Sequence, residues 1–149
     1  PGLRLSLGVS TFVPKAHTPF QWQGVRPEAD KRLKLLAKRL KPKGIDLRPE
    51  SYGWSVIQAL LSRSDRRLAP VIAAARGQHE SLGGWKQAYK AVGLHVDAST
   101  PKPSSLPSPP PWNDVIHASW QDDSVLPWDH LEGPLPKTTL LKHQAEALA

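Results

Sequence analysis

The run Ser10-Thr11-Phe12-Val13-Pro14-Lys15-Ala16-His17-Thr18-Pro19-Phe20-Gln21-Trp22 holds the side chains of this sequence best suited to grip a ligand. Lys15, His17, Thr18 and Gln21 can donate or accept hydrogen bonds, and Ser10 adds a hydroxyl. Phe12 and its neighbouring aromatics can stack on a flat molecule, and two prolines stiffen the backbone between them. The plainer alternative is a rigid structural turn, with Phe20 and Trp22 packing it down. A second cluster is Arg63, Asp65, Arg66 and Arg67. One arginine can take the aspartate bidentately and leave the others for an anion. An ion-pair cluster joining helices is the reading that weighs more. In Trp128-Asp129-His130 a carboxylate could orient an imidazole, but residues this close on a loop suit a docking anchor better. His79, His95, His117 and His143 lack metal-ligand spacing and read as surface residues.

The elements around these residues are legible from periodicity. Leu3, Leu5, Leu7 and Val9 alternate with Arg4, Ser6, Gly8 and Ser10, which predicts a strand running on to Pro14. Pro27, Glu28 and Asp30 open an amphipathic helix carrying Ala29, Leu33, Leu36, Ala37 and Leu40, and Pro42 and Gly44 stop it. Ile45-Asp46-Leu47 predicts a short strand, so strand, loop, helix and strand make one crossover unit. Further helices are expected over 52–62, with a stripe of Trp54, Ile57, Leu60 and Leu61, and around Val71. Another is expected after Ser81, carrying Trp85, Ala88, Tyr89 and Val92, with Gly93 as its stop. Six prolines and four serines among the thirteen residues 99–111 predict an extended linker. A tail with Trp112, Trp120 and Trp128 follows, and the pattern predicts a last helix over 137–148.

Composition narrows the function classes. The chain has 149 residues, and its hydrophobic fraction of 39% predicts a small core. No apolar run approaches the ~20 residues a membrane span requires. With no cysteine there are no disulfides, thiolate zinc sites or Cys-ligated clusters within the chain. The start at Pro1-Gly2 and the lack of any Met lead us to expect a piece of a longer polypeptide, and the cytoplasm is the default compartment. The net charge is +7. Nine Lys or Arg against three acids between Arg26 and Arg48 place most of that excess in one stretch. Lys31, Lys34, Lys38 and Arg39 are therefore candidate contacts to RNA, although a solvated cationic helix is the commoner outcome.

Three stretches carry a resemblance. The run 10–22 is similar to the Ser-x-x-Phe-Val-Pro-Lys-x-His-Thr-Pro-Phe-Gln-Trp segment of a family of uncharacterised radical S-adenosylmethionine (SAM) proteins. Members often carry a cobalamin-binding-type domain and are related to the tRNA methylthiotransferase and elongator-like enzymes. Ala59-Leu60-Leu61-Ser62-Arg63-Ser64-Asp65-Arg66-Arg67-Leu68 resembles that family's Leu-x-Arg-Gly-Asp-Arg-Arg stretch, with Ser64 where glycine is common. Leu126-Pro127-Trp128-Asp129-His130-Leu131 resembles its Leu-Pro-Trp-Asp-His block.

The resemblance implies an α/β fold: residues 1–48 as the last strand-loop-helix-strand part of a radical SAM, partial TIM-type barrel, and 49–97 as a helical C-terminal cap; 98–149 are the Pro/Ser-rich linker, particular to this sequence, and the Trp-containing tail. It implies a parent enzyme in which three cysteines hold a [4Fe–4S] cluster and SAM is cleaved to a 5′-deoxyadenosyl radical. This chain has no cysteine, so it would not be catalytic alone, and its partner would be the rest of the barrel. Ser10, Phe12, Lys15, His17, Thr18 and Gln21 would form a loop facing SAM or substrate. A basic RNA-binding module and an inert remnant of a split gene are the alternatives.

Overall fold

A computed structural model describes residues 4–77, 81–94 and 108–149. Strand β1 spans Leu5–Val9, shorter than the alternation suggests, because the chain turns away well before Pro14. Helix α1, Ala29–Leu40, has Asp30 in its first turn and Lys38 and Arg39 in its last, each on the side the helix dipole favours. Its Leu33 is buried. A 3-10 turn at Lys41–Lys43 then ends on Gly44, whose φ of 71° is the left-handed conformation that glycine enters without a Cβ clash. Strand β2, Ile45–Pro49, pairs parallel with β1 in the register Leu5 with Ile45, Leu7 with Leu47 and Val9 with Pro49. Pro49 has no N–H to extend the ladder, and the next amide, Glu50, donates to the Val9 carbonyl at 2.9 Å.

The larger core is helical. Helix α2, Tyr52–Arg63, leads through a 3-10 turn at Arg66–Leu68 into α3, Ala69–Ala75. Asp65 caps that turn by accepting from the Arg67 amide at 2.9 Å. Helix α4, Leu82–Leu94, is capped by Ser81, whose hydroxyl accepts from the Gly84 amide, and runs one residue past the expected stop at Gly93. A short helix α5, Trp112–Ile116, follows the proline-rich stretch, of which residues 99–107 lie outside the described residues. Val56, Leu60, Val71, Ala88 and Ile116 form the core of this layer together with Val13 and Val25 of the loop after β1. In α2 the buried stripe is Ser55, Val56, Ile57, Ala59, Leu60 and Arg63, while Trp54 and Leu61 stay half exposed. Ile57 and Leu60 of the expected stripe are thus buried, and Val56, Ala59 and Arg63 take the places expected of Trp54 and Leu61.

Helix α6, Lys137–Leu148, closes the chain. Its Leu140 joins Trp22, Leu126 and Trp128 in a second, smaller core. The tail is therefore not an appendage. It shares Ile116 with the main core and wraps the loop after β1: the Val25 amide donates to Ile116 at 2.8 Å and the Trp120 amide to Trp22 at 2.7 Å. Gly24 permits this approach, since a Cβ there would land on the carbonyls of His117 and Ala118.

The expectation of a partial TIM-type barrel with a helical cap is overturned. Among the described residues there are two strands, paired in one open parallel sheet, and six α-helices. Barrel closure requires every strand to have a neighbour on both sides, and β1 and β2 have one each. Leu5 and Leu7 remain 52% and 45% exposed, so the sheet is no buried barrel wall. Period-two alternation identifies a strand but says nothing of how many strands stand beside it. No described helix is long and apolar enough to cross a membrane.

Candidate ligand site at the carboxyl end of β1

The chain leaves β1 at Val9, passes Ser10, Thr11 and Phe12, and returns at Arg26 to enter α1. A cavity of about 470 Å³ lies between these two passages. Such crevices, outside the carboxyl ends of parallel strands, are where open α/β sheets bind ligands. Leu33 and Leu36 of α1 form one wall, and Phe12 and Phe20 another. The two rings meet edge to face, 5.8 Å apart at 83°, an arrangement that fixes the exposed Phe12 in place. Ser10, Thr11, Gln23, Arg26 and Arg32 supply the polar edge. The Thr11 hydroxyl is buried and has no hydrogen-bond partner. Leu148 of α6 reaches the rim.

The loop residues expected to act together are divided by the fold. Ser10 and Phe12 line the cavity. Lys15 and Thr18 form a turn in which the Thr18 hydroxyl donates to the Lys15 carbonyl at 2.7 Å, and Lys15 is exposed. His17 and Gln21 face the other way, toward a shallow hollow that includes Gly133 and Lys137. Gln21 is buried, and its Oε1 accepts from the His17 amide at 2.9 Å and from the Trp128 indole at 2.7 Å. This pair of bonds holds His17 at φ 55°, a left-handed conformation costly for a residue with a Cβ. Gln21 and Trp128 thus serve as a bolt between loop and tail. Trp22 is fully buried beside them.

The other two clusters also join segments. Asp65 pairs with Arg67, its carboxylate 2.7 Å from the guanidinium, and the Arg67 hydrogen bond holds its pKa below the ordinary carboxylate range. Arg63 is 1% exposed. It donates to the Ile116 and Ala118 carbonyls at 2.9 Å each and stacks on Trp120, 4.0 Å from the ring centroid. No carboxylate among the described residues pairs with it, and burial pushes its pKa down to about 10. Asp129 accepts from the Leu126 amide at 2.8 Å and so ties its own loop, while His130 is exposed. His117, expected at the surface, is half buried with Nδ1 2.7 Å from the Val25 carbonyl. His79 and His95 lie outside the described residues, and His143 is exposed.

Of the four basic residues singled out on α1, all are exposed, and Lys34 is paired with Asp30 at 2.6 Å. Arg26 and Arg32 were not singled out as ligand contacts. They belong to the same basic stretch, but only the return of the chain past Phe12 separates them from their neighbours.

An uncharacterized protein of Methanocaldococcus jannaschii is 29% identical to this chain over 84 residues, which cover 56% of this chain and 19% of that protein. The matched part of the chain thus spans about a fifth of the relative's length. No family model and no solved structure matches.

Proposed function

We propose that this chain is the C-terminal segment of a radical SAM enzyme, supplying one wall of its substrate site and inactive by itself. The observation that carries the reading is the meeting of the three resembling stretches. Gln21 bonds Trp128, and Arg63 bonds the carbonyls of the segment that leads from α5 to that tryptophan. Stretches far apart in sequence that lock into one body are what a single shared framework requires. The open sheet edges and the half-exposed Leu5 and Leu7 offer a surface for the remainder of the enzyme.

The chain's own residues do not fit an iron–sulfur cluster. There is no cysteine, and no group of three or more His, Asp or Glu among the described residues could hold a metal. The cluster and the SAM molecule that it binds would therefore belong to the rest of the parent. Here Ser10 and Phe12 would border the substrate, and Gln21 and Arg63 would keep that wall rigid.

The test is to read the coding DNA upstream of Pro1 for an in-frame Cys-x-x-x-Cys-x-x-Cys motif. The full protein, reconstituted with iron and sulfide, is then assayed for reductive cleavage of SAM to 5′-deoxyadenosine. An absent motif, or a reconstituted protein that leaves SAM intact, ends the reading.

A second reading rests on Lys31, Lys38 and Arg39, exposed on α1 without a carboxylate partner among the described residues. RNA held there would be released steeply by added salt; no binding to a short RNA at low salt rules it out.

A further inference from the structure

The cavity after β1 has a chemical character that the resemblance does not supply. Its walls are apolar, from Phe12, Phe20, Leu33 and Leu36, and its charged lining groups are Arg26 and Arg32. No Asp or Glu lines it. Among the described residues neither arginine lies within 4.0 Å of a carboxylate. The nearby Asp30 is engaged with Lys34 at 2.6 Å and so does not neutralise them. Both arginines are exposed and so remain open to a partner. A cationic edge on an aromatic and aliphatic pocket attracts a molecule with the complementary division: a flat or aliphatic body and an anionic group.

We propose that this cavity binds a small organic anion, with its phosphate or carboxylate on Arg26 and Arg32 and its apolar body against Phe12, Leu33 and Leu36. The inference rests on the same site as the proposed function and names the substrate class that this wall would receive. A cationic ligand is disfavoured there, because the charged groups that line the cavity are both positive. Inorganic phosphate alone gains only the arginines, exposed in water, where ion pairs contribute little. An uncharged hydrocarbon gains only the walls. The ligand that uses both is bound best.

The cavity volume of about 470 Å³ suits a ligand of this kind. Arg26 comes from the loop before α1 and Arg32 from the first half of that helix, so the cavity receives a guanidinium from each of two elements. The planar fork of each guanidinium matches two oxygens of a phosphate or carboxylate, which a lysine at either place would not do. The buried hydroxyl of Thr11, without a partner, lies in the same lining.

The experiment uses the 149-residue chain and three probes that separate the two halves of the recognition. 1-Naphthyl phosphate carries both body and anion. 1-Naphthylmethylamine carries the same body with the opposite charge. Inorganic phosphate carries the anion alone. Titrations are followed by calorimetry and by amide chemical shifts. Saturable binding of 1-naphthyl phosphate is expected, at least roughly tenfold tighter than either other probe, a factor worth about 1.4 kcal/mol. The shifts should centre on Ser10–Phe12 and on 29–36. The double variant R26Q/R32Q should lose at least roughly tenfold of that affinity at unchanged circular dichroism, since both side chains are exposed; F12A should lose affinity through the walls. A naphthyl phosphate that does not bind, an amine that binds as tightly, or a double variant that binds as well as the parent chain overturns the inference. Its failure leaves SAM cleavage by the full protein untouched, and failure of that cleavage leaves the binding data standing, so the two readings fall separately.

Discussion

Replacing Arg63 with methionine tests the idea that this side chain fastens the tail to the helical core. The two bonds to the Ile116 and Ala118 carbonyls are charge-assisted and contribute ~1.5–3 kcal/mol each. Stacking on Trp120 at 4.0 Å, away from water, adds ~1–2 kcal/mol. Against this stands the cost of burying an unpaired cation. A pKa pushed down from the ordinary arginine value to about 10 corresponds to roughly 3 kcal/mol. Methionine keeps most of the apolar stem and removes both the bonds and that cost, so the net loss should be ~1–5 kcal/mol. At roughly 3 °C per kcal/mol for a chain of this size, the melting temperature should fall by ~3–15 °C. Arg63→Lys should lose nearly as much, because an ammonium is a point donor and does not span two carbonyls as the planar guanidinium does. The assay is thermal and urea unfolding by circular dichroism, with tryptophan fluorescence reporting on Trp120. The reasoning is refuted if R63M melts within ~1 °C of the parent chain, or if R63K is as stable as arginine.

Two other changes probe the loop. Gln21→Leu leaves the His17 amide and the Trp128 indole N–H without their acceptor; a loss of ~2–4 kcal/mol and a red-shifted tryptophan emission are expected in urea unfolding, and unchanged stability would show that the bolt is idle. Tyr89 donates its hydroxyl to the Pro110 carbonyl and burial pushes its pKa from 10.0 to about 12. Because the folded form holds this proton more tightly, its contribution to stability is complete below pH 10 and is lost as pH rises toward 12. Stability should therefore fall with pH across that window in the parent chain and fall less in Y89F. A native tyrosinate absorbance that rises already at pH 10 for both tyrosines contradicts this, since Tyr52 is also raised by burial.

Local order was readable from the sequence because it depends on neighbours along the chain. Alternation at Leu5, Leu7 and Val9, the dipole-matched charges of α1, the stop at Gly44 and the helix start after Ser81 all act within a few residues. The role of Trp128 as an anchor was legible too, since its indole has a large apolar area that water does not accommodate.

What only the tertiary structure decided is who meets whom. Gln21 could have faced a ligand as readily as Trp128, since an amide bonds either. Arg63 could have taken an anion; its burial under α5 and Trp120 gives it two carbonyls instead. The barrel was inferred from a family likeness, and two parallel strands with half-exposed leucines replaced it, because strand number is a long-range property that alternation does not encode. The candidate site itself arises the same way: Phe12 and Arg32 are twenty residues apart, and their meeting depends on a loop held down by Trp22 and Val25, both fully buried, which burial of apolar surface from distant segments fixes in place.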